Sequence, residues 1–184
     1  ERLFRRFVSE AAQGRYPTDR ILYASPELVG AEIPSAHYDD EILAYYVKSG
    51  QMAALQTKRG CEHHCVYCTY PLLEGHAIRE REPSAVVDDI EMLVSRHNAK
   101  YIFFTDSVFN DSRGRYRTLV QEMKRRSLRV PWTAFFKPSA EMDGAIIEVM
   151  RETGLHAAEL GSDAPTDATL RGIGKDFLFR DVER

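Results

Sequence analysis

Short apolar runs alternate with segments whose apolar residues recur every three or four positions, from about residue 52 onward. Continuous apolar runs are typical of strands buried on both faces, and the three-to-four periodicity is typical of helices with one face against a core. The predicted strands cover residues 52–57, 101–105, 130–136 and 155–160. The predicted helices cover residues 83–94, 116–125, 142–150 and 166–171. This alternation predicts an α/β fold with a parallel sheet covered by helices.

Residues 1–50 show little of this regularity. Pro17, Pro26 and Pro34 interrupt the segment, and only Asp40–Lys48 predicts a short helix. We therefore expect a mostly irregular lead-in over residues 1–50, followed by a folded core over residues 51–184.

Composition and charge argue against a membrane protein, a secreted protein and a general nucleic-acid binder. No apolar run approaches the ~20 residues of a membrane-spanning helix, and the first residues lack the apolar stretch of a signal peptide. The 25 Lys and Arg residues against 28 Asp and Glu residues give a net charge of −3, which argues against a general nucleic-acid binder. These features predict a cytoplasmic protein with no membrane or nucleic-acid partner.

Each predicted strand ends in polar or potentially metal-binding residues. In a parallel sheet the carboxyl ends of the strands meet at one edge, where α/β proteins place their chemistry. The residues at these four ends are Lys58 through Cys68, Asp106-Ser107, Lys137, and Glu159 through Asp163. This coincidence predicts a single functional site at that edge.

The three cysteines, Cys61, Cys65 and Cys68, have the spacing C-x3-C-x2-C. An odd number of cysteines so close together is poorly suited to a disulfide framework. Three thiolates from one loop can hold three corners of a [4Fe–4S] cluster and leave the fourth iron open to a substrate or cofactor. The alternatives are cysteines without a metal and a Cys3His zinc site, for which the candidate fourth ligands are His63, His64 and His76.

Further segments accompany the cysteines: Lys58-Arg59-Gly60, the aromatic Tyr67, Arg79–Arg81, Val87–Glu91, Phe104–Asn110, Glu159–Asp163 and Lys175. Together they resemble the radical S-adenosylmethionine (SAM) superfamily. They are most similar to the branch whose members usually carry an N-terminal cobalamin-binding domain. The resemblance implies a partial (β/α)6 barrel, and only about four of its six βα units are recognisable here. Residues 51–184 are therefore expected to form a core that is incomplete at its C-terminus.

The resemblance also implies an enzyme that binds a [4Fe–4S] cluster and SAM. Reductive cleavage of SAM would give a 5′-deoxyadenosyl radical for hydrogen abstraction or, with cobalamin in the full-length protein, support methyl transfer. Residues 1–50 are too few to form a cobalamin-binding domain, so this chain is not expected to bind cobalamin. The rival reading is a non-catalytic Fe–S or zinc module that serves structure or redox sensing.

The implied site follows residue by residue. Cys61, Cys65 and Cys68 match the cluster ligands. The positions that match SAM contacts are Tyr67, Asp106, Ser107, Glu159 and Ser162. Lys137 has no matching motif, but its charge suits the carboxylate of SAM or an anionic substrate.

The implied partners are an electron donor such as a flavodoxin or ferredoxin, and a small-molecule or peptide substrate that the sequence does not identify. An incomplete barrel also leaves an open sheet edge. We expect that edge to be covered by a second copy of the chain or by further domains.

Overall fold

Strands and helices alternate along the computed structural model, which describes residues 2–19, 21, 33–50, 52–139 and 142–183. The strands are β1 (Met52–Leu55), β2 (Lys58–Arg59), β3 (Arg79–Glu80), β4 (Tyr101–Phe104), β5 (Trp132–Phe136) and β6 (Leu155–Leu160). The helices are α1 (Arg2–Ala12), α2 (Asp40–Gly50), α3 (Tyr70–Glu74), α4 (Pro83–His97), α5 (Tyr116–Arg125), α6 (Gly144–Thr153), α7 (Asp167–Gly172) and α8 (Phe179–Val182).

Four strands form one sheet in the order β1-β4-β5-β6, and every neighbouring pair is parallel. Helices α4, α5 and α6 each follow a strand of this sheet and precede the next one. The predicted α/β class and its four strand–helix units are therefore confirmed. The arrangement is that of a partial (β/α) barrel.

One face of the sheet is packed against the helices. Its alternate residues are buried together with the apolar stripes of α4, α5 and α6, and they include Leu55, Ile102, Phe104 and Trp132. Phe109, from the loop after β4, lies among them, with its ring centroid 5.2 Å from those of Phe104 and Trp132. The other face carries residues such as Phe103 and Phe135, which are not buried.

The lead-in differs from the prediction of a mostly irregular segment, because Arg2–Ala12 is a helix as well. Its apolar residues recur at helical spacing, and no Gly or Pro interrupts it before Gly14. Helix α2 also belongs to the main hydrophobic core, since Leu43 and Val47 are buried in it. Packing of the core thus begins upstream of residue 51.

The strand β6 lies at one edge of the sheet. It pairs with β5 on one side, and its residues His156 to Leu160 are exposed. Among the described residues, no helix is long and apolar enough to cross a membrane.

Candidate functional site

Residues 60–78, which connect β2 to β3 and carry the three cysteines, form the cysteine loop. The antiparallel pair β2–β3 closes this loop, with Lys58 opposite Glu80 and Arg59 opposite Arg79. Gly60 follows β2 with a φ of 94°, in the left-handed region that favours glycine. A Cβ at Gly60 would collide with the backbone oxygen of Ala77. This glycine therefore allows the two arms of the loop to approach each other directly before Cys61.

Asp106 holds the segment that leads into the cysteine loop through hydrogen bonds. Its buried carboxylate accepts hydrogen bonds from the backbone N–H groups of Thr57 and Lys58, at 2.8 and 3.2 Å, and from the Thr57 hydroxyl. Burial raises the pKa of Asp106, while the Lys58 charge and the Thr57 hydrogen bonds oppose that shift. Asp106 lies at the predicted site, but both of its carboxylate oxygens accept hydrogen bonds from Thr57, between β1 and β2, or from Lys58 at the start of β2.

A buried ion pair also joins the start of β2 to the loop after β4. Lys58 Nζ pairs with the Asp111 carboxylate and donates a hydrogen bond to the Phe109 carbonyl at 2.7 Å. The two charged side chains are only 4% and 3% exposed. Nearby, Ser107 Oγ donates to the Gly60 carbonyl at 3.1 Å. The loop after β4 thus clamps the entry to the cysteine loop.

A cavity of about 450 Å³ opens at the carboxyl ends of the strands. All the predicted site residues line it except Ser162; they are Cys61, Cys65, Tyr67, Cys68, Asp106, Ser107, Lys137 and Glu159. Four side chains that the sequence did not single out share the wall, namely Tyr70, Phe135, Phe177 and Asp176. His63, a candidate fourth ligand in the zinc alternative, lines it as well. These strand ends therefore share one cavity, with Ser162 outside its wall, and the roles of the residues in binding a cluster or SAM stay predictions.

Lys137 is held at the end of β5 and is neutralised there. Its backbone exchanges two hydrogen bonds of 2.8 Å with the Asn110 side chain, and its Nζ pairs with Asp176 at 2.9 Å. Burial raises the pKa of Asp176, but the hydrogen bond and charge of Lys137, together with His63, hold that pKa below its usual value. His63 Nδ1 lies 3.6 Å from the same carboxylate, and burial lowers the pKa of His63.

Glu159 stands on the unpacked face of the sheet, where it is paired in register with Phe135 of β5. It is exposed, and its carboxylate has no hydrogen bond or ion pair within the described part of the chain. A carboxylate without a partner at a cavity wall is available to a ligand that donates hydrogen bonds.

The segment after α7 packs on the cysteine loop. Val66 N donates to the Ile173 carbonyl at 3.1 Å, and a Cβ at Gly174 would lie 2.6 Å from the His64 carbonyl oxygen. Tyr67 Oη donates to Asp163 Oδ2 at 2.7 Å, and the same carboxylate pairs with Lys175. The loop is therefore held from two sides, by the β4–α5 loop and by residues 163–175.

The three cysteine thiols could serve as ligands of a metal cluster, because all of them lie on one loop and none is bonded to another cysteine. The three thiols are free: Cys61 is buried, Cys65 is half-buried and Cys68 is exposed. In the described ranges, no three His, Cys, Asp or Glu side chains converge as ligands of a single metal ion. The rings of His64 and His76 stack on each other, with centroids 4.4 Å apart.

Several of these contacts could not be found by inspection of the sequence. Lys58 and Asp111 are separated by 53 positions, so nothing local indicates that they pair. Asp111 lies in the same loop as Asp106, and Asp163 and Lys175 belong to the segments that resemble the family, but none of the three was assigned a role from the sequence. Arg79 and Arg81 brace the loop, since they donate hydrogen bonds to the Glu74 and Gln56 carbonyls.

Two curated proteins are similar to this chain over most of its length. The chain is 29% identical over 193 residues to tryptophan 2-C-methyltransferase of Streptomyces laurentii, covering 96% of this chain and 31% of that protein. It is 25% identical over 205 residues to the anaerobic magnesium-protoporphyrin IX monomethyl ester cyclase of Rubrivivax gelatinosus, covering 100% of this chain and 37% of that protein. The chain thus spans about a third of the length of these curated relatives.

A solved structure shares the fold. It is the radical SAM methyltransferase TsrM from Kitasatospora setae with cobalamin and a [4Fe–4S] cluster bound, with a TM-score of 0.69 and 26% identity. The match covers 76% of this chain and 29% of that one. The family model described as "Radical SAM superfamily" matches residues 55–184, which is most of the chain. The chain therefore belongs to the radical SAM superfamily.

Proposed function

We propose that this chain is the cofactor-binding core of a radical SAM enzyme, with Cys61, Cys65 and Cys68 as ligands of a [4Fe–4S] cluster. The observation that carries the proposal is that the three thiols share one cavity wall with the polar ends of β4, β5 and β6. When bound, the cluster would pass one electron from a reduced donor protein to SAM, and the two groups together would supply radical chemistry for hydrogen abstraction from the substrate.

The residues of the chain bind and shield these groups. Glu159 is available to accept hydrogen bonds from SAM, because it has no partner among the described residues. Lys137 offers a positive charge to a carboxylate, in competition with Asp176. Apolar side chains such as Phe135 and Phe177 form much of the cavity wall and exclude water from a reactive intermediate.

The proposal is tested by anaerobic reconstitution of the whole protein with iron and sulfide, followed by electron paramagnetic resonance (EPR) of the reduced sample. We expect about four iron atoms per chain, as a [4Fe–4S] cluster requires, and a spectrum that changes when SAM is added. Reduction with dithionite in the presence of SAM should yield 5′-deoxyadenosine. A colourless protein that takes up one zinc ion per chain would instead support the structural zinc module.

A second expectation concerns Glu159. Replacing Glu159 by alanine removes an unpartnered carboxylate from the cavity wall, so SAM affinity should fall about 10- to 100-fold, as for a lost hydrogen bond to a charged group. Iron content should stay at the wild-type level. Glu41→Ala is the matched control, because Glu41 is also an exposed carboxylate but lies on α2 and does not line the cavity, so the substitution should leave SAM affinity within about threefold. Unchanged SAM affinity in Glu159→Ala would remove this residue from the site.

For the whole protein we propose cobalamin-dependent methyl transfer, with cobalamin bound outside the described residues. Support comes from the methyltransferases among the similar proteins, one of which is solved with cobalamin bound. Absorbance spectra of the purified whole protein, with and without added cobalamin, test this step. Retention of cobalamin after gel filtration supports it, and no retention contradicts it.

Two partners complete the proposal. A flavodoxin or ferredoxin would deliver the electron, and a further domain or a second copy would cover the exposed edge of β6. The substrate is a small molecule or a peptide.

A further inference from the structure

A charged network surrounds the exposed end of the cysteine loop. Lys175 Nζ pairs with Asp163 Oδ2, and Tyr67 Oη donates to the same oxygen at 2.7 Å. The ammonium also donates to the Gly161 carbonyl at 3.3 Å and lies 5.6 Å from the centre of the Tyr67 ring. The Lys175 side chain is 11% exposed and the Asp163 side chain is 38% exposed, so the ammonium is shielded from solvent while the carboxylate is partly open to it.

The backbone conformation of Asp163 brings this network next to the cysteine loop. Asp163 has a φ of 59°, an uncommon left-handed conformation for a residue with a side chain. Such conformations cost free energy and cluster at functional sites. The conformation accompanies a carboxylate that reaches both Tyr67, directly before Cys68, and Lys175, next to the Gly174 backbone that packs on the loop.

We propose that the Asp163–Lys175 pair is a charge-balanced element that sets the reduction potential of the cluster held by the three cysteines. The inference rests on the proposed function, since it requires that cluster. Both residues line the cavity together with Cys61, Cys65 and Cys68. They are positioning residues, because they act on the cluster through their charge and through Tyr67 rather than as ligands.

The physical reason is the charge that reduction adds. One-electron reduction places a negative charge on the cluster, which a nearby cation stabilises and a nearby anion destabilises. In the wild-type pair the two charges oppose each other. Burial lowers the pKa of Lys175, but its hydrogen bonds with Asp163 and Tyr67 raise that pKa above its usual value, so the ammonium keeps its charge.

Removal of either partner should therefore move the potential in opposite directions. Lys175→Met leaves the Asp163 carboxylate alone and should lower the potential. Asp163→Asn leaves the ammonium alone and should raise it. A shift of about tenfold in the one-electron equilibrium corresponds to about 59 mV in each direction. The double variant Lys175→Met/Asp163→Asn should return close to the wild-type potential, and Lys175→Arg should stay near it.

The experiment is a redox titration of the reconstituted whole protein, followed by EPR in the presence of mediators. Iron content and the wild-type EPR spectrum are measured first: absence of a cluster in the wild type overturns the proposed function, and this inference with it. If the wild type holds a cluster but both single variants shift in the same direction, or neither shifts, the inference alone is overturned. Purely structural damage would lower cluster content in both variants without opposite shifts, and that result also contradicts the inference.

Discussion

Replacing Lys58 by methionine is expected to lower the free energy of unfolding by about 3–5 kcal/mol, because it leaves the buried Asp111 carboxylate without its cation. The two side chains are 4% and 3% exposed, so water cannot replace the lost partner. Equilibrium unfolding in urea measures the loss. Lys124→Met is the matched control: Lys124 pairs with Glu152 on the surface, with exposures of 48% and 39%, and should cost at most about 1 kcal/mol.

The same variant should also disturb the metal site. Lys58 holds the Phe109 carbonyl and Asp111 of the loop that clamps the cysteine loop, so we expect lower iron content after reconstitution. The double variant Lys58→Met/Asp111→Leu replaces the ion pair by apolar side chains and should recover much of the stability. If Lys58→Met unfolds at the wild-type urea concentration, the buried pair does not stabilise the fold.

The sequence carried most of the information about the sheet. Each strand of the sheet is an apolar run that stands between helices with a clear apolar stripe, and both patterns are local. The helix α1 was missed although its pattern is helical, because the surrounding prolines and glycines suggested an irregular segment. The two-residue strands β2 and β3 could not be predicted, since their pairing depends on the closure of the cysteine loop.

The position of the cavity at the strand ends was predictable, but the direction of the side chains around it was less so. Strand ends indicate which residues meet at an edge of a parallel sheet, and that argument placed Glu159 and Lys137 on one cavity wall. It does not indicate whether a carboxylate points into the cavity or back into the protein. Asp106 illustrates the difference, because its carboxylate oxygens are engaged by Thr57 and Lys58.

Ion pairs between residues far apart in the sequence could not be predicted. Lys58 with Asp111 and Asp163 with Lys175 each join segments that only the folded chain brings together. A charged residue in a sequence is ordinarily solvated, so its burial beside a partner becomes apparent only in the structure. The two pairs lie on two sides of the cysteine loop. Substitution of either partner tests what each pair contributes.

Gly174→Ala is expected to reduce cluster loading several-fold while leaving the main sheet folded. Gly174 has a φ of 78°, which disfavours a residue with a side chain, and the added Cβ would lie 2.6 Å from the His64 carbonyl oxygen. Because that oxygen belongs to the backbone of the cysteine loop, the clash can be relieved only by moving the loop or residues 173–175. Either movement separates Lys175 and Asp163 from Tyr67, or shifts the thiols relative to one another.

The measurement is iron and sulfide content after anaerobic reconstitution of the whole protein, with far-ultraviolet circular dichroism as the check on folding. Gly172→Ala is the control at the end of α7: its added Cβ meets nothing within 4 Å of the described structure, and its φ is not in the left-handed region. That substitution should load a full cluster, since alanine is better tolerated than glycine in a helix. Equal cluster content in Gly174→Ala and Gly172→Ala would show that the segment after α7 does not hold the cysteine loop in place.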